Sequence, residues 1–222
     1  MPNAKDRGFL ESSWFCPRLF SALSMTTLTR LLSAVLLEKS IVFVGKQSML
    51  SSAILGLNSL LHPFKWCLAL VPILPHPLIE MLEAPLPLLV GISRREYKDV
   101  TLTQEERDSK IWVFLDSGEV LYAKDQPLVE LAFNIDENLY SFFKDFQGKA
   151  QASGRSLASD VSQVAHDDAC RAICESIRKQ IKAAILDHLK QPTYGPIPFN
   201  DIVETMGNLI IRHGRREDSA FL

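Results

Sequence analysis

The chain has 222 residues, 47% of them hydrophobic and 23% charged, with a net charge of −2. That length suits one large domain, or a domain with a small appendage, and that apolar fraction is enough to bury a core. The near-neutral charge excludes binding dominated by nucleic-acid phosphates, so no nucleic-acid partner is expected.

Residues 1–10 are polar, carry Lys5, Asp6 and Arg7, and lead into no apolar run, so no signal peptide is expected. Residues 1–22 read as a lead-in segment whose Phe15, Leu19 and Phe20 pack on the next helix. Ser24 is placed to cap that helix, its side-chain oxygen accepting a free N–H of the first turn. Leu28, Leu31, Leu32, Val35 and Leu36 then form one apolar helical face, ended by Glu38 and Lys39.

Ile41, Val42, Phe43 and Val44 read as a strand buried on both faces, with Gly45 ending it. Ser48 or Ser51 is expected to start the next helix, whose buried face is Met49, Leu50, Ile54, Leu57 and Leu61. Pro63 blocks its continuation. Residues 66–74 read as a second buried strand, and the order strand, helix, strand predicts a parallel pair joined by a crossover. The apolar stretch 54–74 is broken by His62, Pro63, Lys65 and Pro72, and so falls short of the roughly 20 apolar residues of a spanning helix.

A short helix is expected at 78–82, a third strand at 86–92, a loop at 93–109 and a strand at 111–115. Asp116, Ser117 and Gly118 signal a turn into a hairpin partner at 120–122. A helix is expected over 128–146, from Leu131, Ile135, Leu139, Phe142 and Phe143. Residues 147–165, rich in Gly, Ala, Ser and Gln, read as a linker. Ile173, Ile177, Ile181, Ile185 and Leu189 repeat four apart along a strong helix, with Pro192 just beyond it. A last helix is expected over 199–213, closed by Gly214.

Three motifs in order stand out. They are His62-Pro-Phe-Lys-Trp66, then Val71-Pro-Ile-Leu-Pro75, then Glu83-Ala-Pro-Leu-Pro-Leu-Leu-Val-Gly91, preceded by Leu31 to Val44 and Leu50 to Ile54. Over about residues 18–122 this block resembles the central part of a DENN domain. The resemblance implies a DENN lobe: an α/β fold with a central, mostly parallel sheet flanked by helices, followed by a helical C-terminal part. The organisation expected is 1–146 as the central α/β subdomain, 147–165 as linker and 166–222 as the helical downstream segment. Family members also have an upstream longin-like lobe, for which no segment here is long enough.

DENN proteins act mainly as guanine-nucleotide exchange factors for Rab GTPases, so the resemblance implies a Rab-family small GTPase as partner and membrane traffic as setting. Exchange makes and breaks no covalent bond, so neither catalytic residues, a cofactor nor a metal is expected. The factor binds the nucleotide-free GTPase more tightly, and linkage then weakens nucleotide by the same factor. Against a sub-nanomolar nucleotide the interface must supply about 12 kcal/mol or more. The alternative is a non-catalytic DENN-fold interaction module, or a partial fragment lacking exchange activity. A cytoplasmic location is expected, with peripheral contact to intracellular membranes left open.

Other candidate sites weigh less. Val44-Gly-Lys-Gln-Ser48 lacks the P-loop's first glycine, Ser40 standing there, and Gln47 follows Lys46; it reads as a strand-end turn. His166, Cys170 and Cys174 lie one turn apart, and a turn rises about 5.4 Å, too far for three ligands on one ion. With Cys16 and Cys67 they read as reduced thiols without a disulfide framework. No Gly-x-Ser-x-Gly occurs, and Asp167 and Asp168 suit the positive end of the helix that follows. Arg171, Arg178, Lys179, Lys182 and Lys190 form a basic helix face, read as solvated and balanced by Glu175 and Asp187. Arg212, Arg215 and Arg216 form a second basic cluster. The partner-binding candidates are Glu80, Glu83, Ala84, Pro85 and Pro87, a loop at a sheet end that also shapes the strand start.

Overall fold

In a computed structural model, residues 14–62, 64, 66–123, 137–152 and 168–189 are described. Chain contacts divide the protein into a unit 1–181 and a unit 182–222, of which the second is described only at 182–189, all helical. In the first unit, helix α1 spans Trp14–Ala22 and buries Cys16, Leu19 and Phe20. Helix α2, Met25–Leu36, begins at Ser24, whose Oγ accepts from Thr27 N at 3.1 Å. Leu28, Leu31, Leu32 and Val35 are its buried stripe, each worth roughly 1.5–3 kcal/mol on leaving water.

Strand β1, Ser40–Gly45, is buried from Ile41 onward, as a central strand must be. Helix α3, Gln47–Leu60, starts one turn residue later than the strand ends, with Lys46 as its N-cap and no side-chain cap bond. Ser48 and Ser51 therefore lie within the helix rather than starting it, because the strand-end turn leaves room for a single cap residue. Strand β2, Ala69–Val71, has only three residues, all half-buried. After a 3-10 helix, His76–Glu83, comes strand β3, Leu88–Ser93. Strand β4, Lys110–Phe114, and strand β5, Glu119–Leu121, form the expected antiparallel hairpin across Gly118, whose φ of +70° suits glycine.

The five strands lie in the order β2-β3-β1-β4-β5. β1 pairs in parallel with both β3 and β4, and β2 pairs in parallel with β3. The expected β1–β2 pair is thus corrected: the two strands are parallel, but β3 lies between them. Residues 66–74 do not form a long buried strand, because among the described residues β2 pairs with β3 alone and is an edge.

The stretch 93–109, expected as a loop, holds two short helices. Helix α4, Arg94–Asp99, and helix α5, Gln104–Asp108, each open with a capping box, Ser93 with Glu96 and Thr103 with Glu106. Two free N–H groups are satisfied at each box, which sustains helices with no apolar stripe of their own.

One sheet face is packed by α3, as Ile54 and Leu50 lie over Gly91. The opposite face gathers Val42, Val44, Val90, Ile92 and Trp112 under Leu74, Leu82, Val100 and Tyr97. Tyr97 meets Trp112 and Phe114 edge-on at 5.4 and 5.2 Å, and the Arg107 guanidinium lies over both Tyr97 and Trp112.

Helix α6, Glu137–Ala152, buries Leu139, Phe143 and Phe146, two of them against Phe20 at 5.3 and 6.1 Å. It runs through 147–152, where linker was expected, because Gln147 Nε2 donates to the carbonyls of Phe20 and Leu23, both at 2.9 Å. Helix α7, Asp168–Leu189, buries Cys170, Ile173, Cys174, Ile177 and Ile181. Arg178 departs from the expected solvated face. Its Nε and Nη2 donate to Ser59 O at 3.2 and 2.8 Å, a cation on the last carbonyls of α3. The helix expected over 199–213, His166, Asp167, Lys190 and the second basic cluster lie outside the described residues.

Candidate functional site

Pro75 and Pro77 set the local geometry after β2. Their fixed φ favours a tight first turn, and the segment forms a 3-10 helix with a break at Leu78, at φ −108°. Leu82 is buried beneath it, with Ile79 and Met81 half-buried against the same core. That packing leaves Glu80 and Glu83 exposed. Ala84 is extended, at φ −60° and ψ 134°, and Pro85 and Pro87 keep the chain extended into β3. Ala84 and Pro87 are half-buried, Pro85 exposed. Ser40 Oγ donates to Leu86 O at 3.4 Å, which ties this loop to the start of β1. The five candidate residues therefore lie on one strip, from the 3-10 helix to the amino end of β3.

The strip continues onto side chains outside the five candidates. Leu86 is 64% exposed and Leu78 is 51% exposed, and Leu68 and Ile73, on either side of β2, are 37% and 39% exposed. Leu68 and Ile73 flank β2, while Leu78 and Leu86 lie in the connection from β2 to β3 that also carries the exposed Glu80 and Glu83. The missed signal was the shortness of a strand bounded by Pro72 and Pro75, which marks an edge. The edge is partly blunted, since Trp66 Nε1 donates to Ala69 O at 3.1 Å. Exposed apolar side chains with polar flanks are the kind of surface that suits contact with another protein.

The remaining candidates resolve as structure. The Val44 to Ser48 segment is a strand end followed directly by a helix. Cys16, Cys170 and Cys174 are buried free thiols and Cys67 is exposed. Cys16 Sγ lies 3.4 Å from Ser59 Oγ, and burial pushes its thiol well above the ordinary value. Among the described residues no three His, Cys, Asp or Glu side chains converge as a metal site requires. Also among these residues, no single helix is long and apolar enough to cross a membrane.

The family model described as the DENN (AEX-3) domain matches residues 11–118, a span that holds α1 through β4 and the whole strip. Residues 11–118 belong to the DENN family. Relatives match part of the chain. The Elicitor of plant defense protein 1 of Gibberella zeae is 38% identical over 111 residues, 50% of this chain and 9% of that protein. Its namesake in Fusarium odoratissimum is 37% identical over 111 residues, 50% of this chain and 11% of that protein. The human DENN domain-containing protein 2B is 40% identical over 75 residues, 33% of this chain and 7% of that protein. The chain spans about a tenth of the length of these relatives.

Proposed function

We propose that this chain takes part in a DENN-type regulator of a Rab-family small GTPase, promoting GDP-to-GTP exchange in membrane traffic. The observation that carries this reading is the DENN match over 11–118, and the exposed strip along β2 adds a surface of the right chemistry. Exchange needs a preorganised face that grips the empty GTPase better than the loaded one. The strip suits that demand because the 3-10 helix and two prolines hold it on a packed sheet. The setting proposed is cytoplasmic and peripheral to intracellular membranes.

The test is release of a fluorescent GDP from a panel of Rab GTPases, with the purified chain shown to be folded by circular dichroism. Acceleration with at least one Rab, saturating in chain concentration, is expected. A folded chain that accelerates none of them removes exchange for this segment.

A second reading is a DENN-fold module that binds a partner without exchange. It is favoured by the small share of each relative that the matching segment represents. Stable capture of a Rab with unchanged nucleotide release is its distinguishing result.

A further inference from the structure

Three buried thiols meet where α1, α3 and α7 come together within unit 1–181. Cys16 on α1 is 0% exposed, and Cys170 and Cys174 on α7 are 1% and 2% exposed. Cys16 Sγ lies 3.4 Å from Ser59 Oγ and 3.7 Å from Gly56 O, both on α3. Cys174 is in hydrogen-bonding contact with Cys16 on one side and with Cys170 on the other. Two thiols far apart in sequence therefore touch.

Separate ties to α3 hold each of them in place. α1 lies directly against α3 at Gly56: a Cβ there would come 3.2 Å from the Phe15 backbone and 3.4 Å from Cys16 N. α7 is tied by Arg178, one turn after Cys174, through its two bonds to Ser59 O. The approach of Cys16 to Cys174 thus follows from how two helices dock on a third, rather than from one side-chain rotamer. A disulfide needs Cβ atoms about 3.5–4.5 Å apart, a separation that thiols in hydrogen-bonding contact approach. Cys170 is the poorer partner for Cys174, because residues one turn apart on a helix lie about 5–6 Å apart at Cβ.

We propose that Cys16 and Cys174 form a reversible disulfide that locks α7 to α1 in the presence of a hydroperoxide. First the peroxide O–O bond breaks as the Cys174 sulfur takes one oxygen, giving a sulfenic acid and releasing an alcohol, or water from hydrogen peroxide. The Cys16 sulfur then displaces the new hydroxyl. The S–S bond forms, the S–O bond breaks, and the Cys16 proton leaves with the hydroxyl as water. The two thiols lose two electrons in all and the peroxide gains them; a dithiol reductant reverses the bond by exchange. Burial keeps the pair inert while the helices are closed. It pushes the Cys16 thiol well above its ordinary value. Cys174 is raised too, since the bond with Cys16 lowers it less than the bond with Cys170 and burial raise it. Attack by peroxide therefore requires α7 to lift from α3, and closure over the oxidised sulfur completes the bond. The lock joins the DENN-matched segment 11–118 to a helix beyond it, and does not rest on the exchange reading.

The test treats the full, folded chain with hydrogen peroxide, alkylates remaining thiols with N-ethylmaleimide in urea, and maps tryptic peptides without reductant. Trypsin cuts after Lys and Arg, so Cys16, Cys67, Cys170 and Cys174 fall in four different peptides, 8–18, 66–94, 156–171 and 172–178. The expected product joins 8–18 to 172–178 and is lost with dithiothreitol. Its melting temperature should rise by about 4–16 °C, as for a disulfide of typical strength in a unit of this size. Cys170→Ala should keep both the link and the rise, and Cys174→Ala should lose both. The parent's peptide map decides even where a variant fails to fold. Recovery of Cys16 and Cys174 as alkylated thiols once exposed Cys67 is oxidised overturns the proposal. So does a link from either of them to Cys67 or Cys170 in its place, or a linked chain that melts no higher than the reduced one.

Discussion

Gly91→Ala puts a methyl group where β3, β2 and α3 meet. A Cβ at Gly91 would fall inside 3.0 Å of the Pro72 carbonyl oxygen, 3.0 Å from Ile54 Cδ1 and 3.1 Å from Leu50 Cβ. The side chains can yield a little. The carbonyl cannot, because the next backbone bond, Leu74 N to Gly91 O at 2.7 Å, holds that segment against β3. Overpacking of a filled core costs about 1–3 kcal/mol, and weakening one backbone bond adds about 1 kcal/mol. The expected loss is therefore roughly 2–4 kcal/mol, or about 4–16 °C in melting temperature for a unit of this size. The assay is thermal and urea unfolding followed by circular dichroism, with Gly148→Ala as control. Nothing lies within 4 Å of a Cβ at Gly148, which is exposed in α6, so alanine there should stabilise by up to about 1 kcal/mol. Gly91→Ala within about 0.5 kcal/mol of the parent would refute the close approach of β2 to β3 as the reason for glycine.

Ser24→Ala should cost about 1 kcal/mol in the same assay, while Ser24→Asp, which also caps and suits the helix start, should cost less. Burial lowers the Lys110 ammonium below its ordinary 10.5, with Glu106 partly restoring it. The folded state then gives up this proton before the unfolded state does. Its unfavourable contribution is full below the folded pKa and fades as pH rises through that value towards 10.5. Parent stability, measured by urea unfolding at pH 7 and pH 10, should therefore rise relative to Lys110→Met. A fixed or falling difference opposes the burial argument. Leu78→Asp with Leu86→Asp should leave the melting temperature within about 1 °C, as both are exposed, yet abolish Rab binding in a pull-down if the β2 strip is the contact surface.

The sequence by itself determined the local elements, because helix and strand periodicities are read over a few neighbouring residues. The β-branched run at Ile41–Val44, the α2 stripe and the Ser24 cap all behave as their patterns require. It also carried the family, through motifs whose prolines and glycine have structural uses: Pro75 and Pro77 shape the 3-10 helix, and Gly91 admits the Pro72 carbonyl. The capping boxes at Ser93 and Thr103 were legible too, but short helices without an apolar stripe give periodicity nothing to detect. Of the candidate strip, Glu80 to Pro87 was legible as a loop beside a strand. Leu68, Ile73 and Leu78 were not, since an apolar residue near a strand reads as buried until the strand is known to be an edge.

Only the tertiary structure decided what lies next to what. The insertion of β3 between β1 and β2 turned an expected buried strand into an edge. Arg178 on the Ser59 carbonyl and Gln147 on the α1 carbonyls are likewise contacts across more than a hundred residues. No local pattern encodes them, because strand order and helix docking are set by which apolar faces meet and by the handedness of the crossovers.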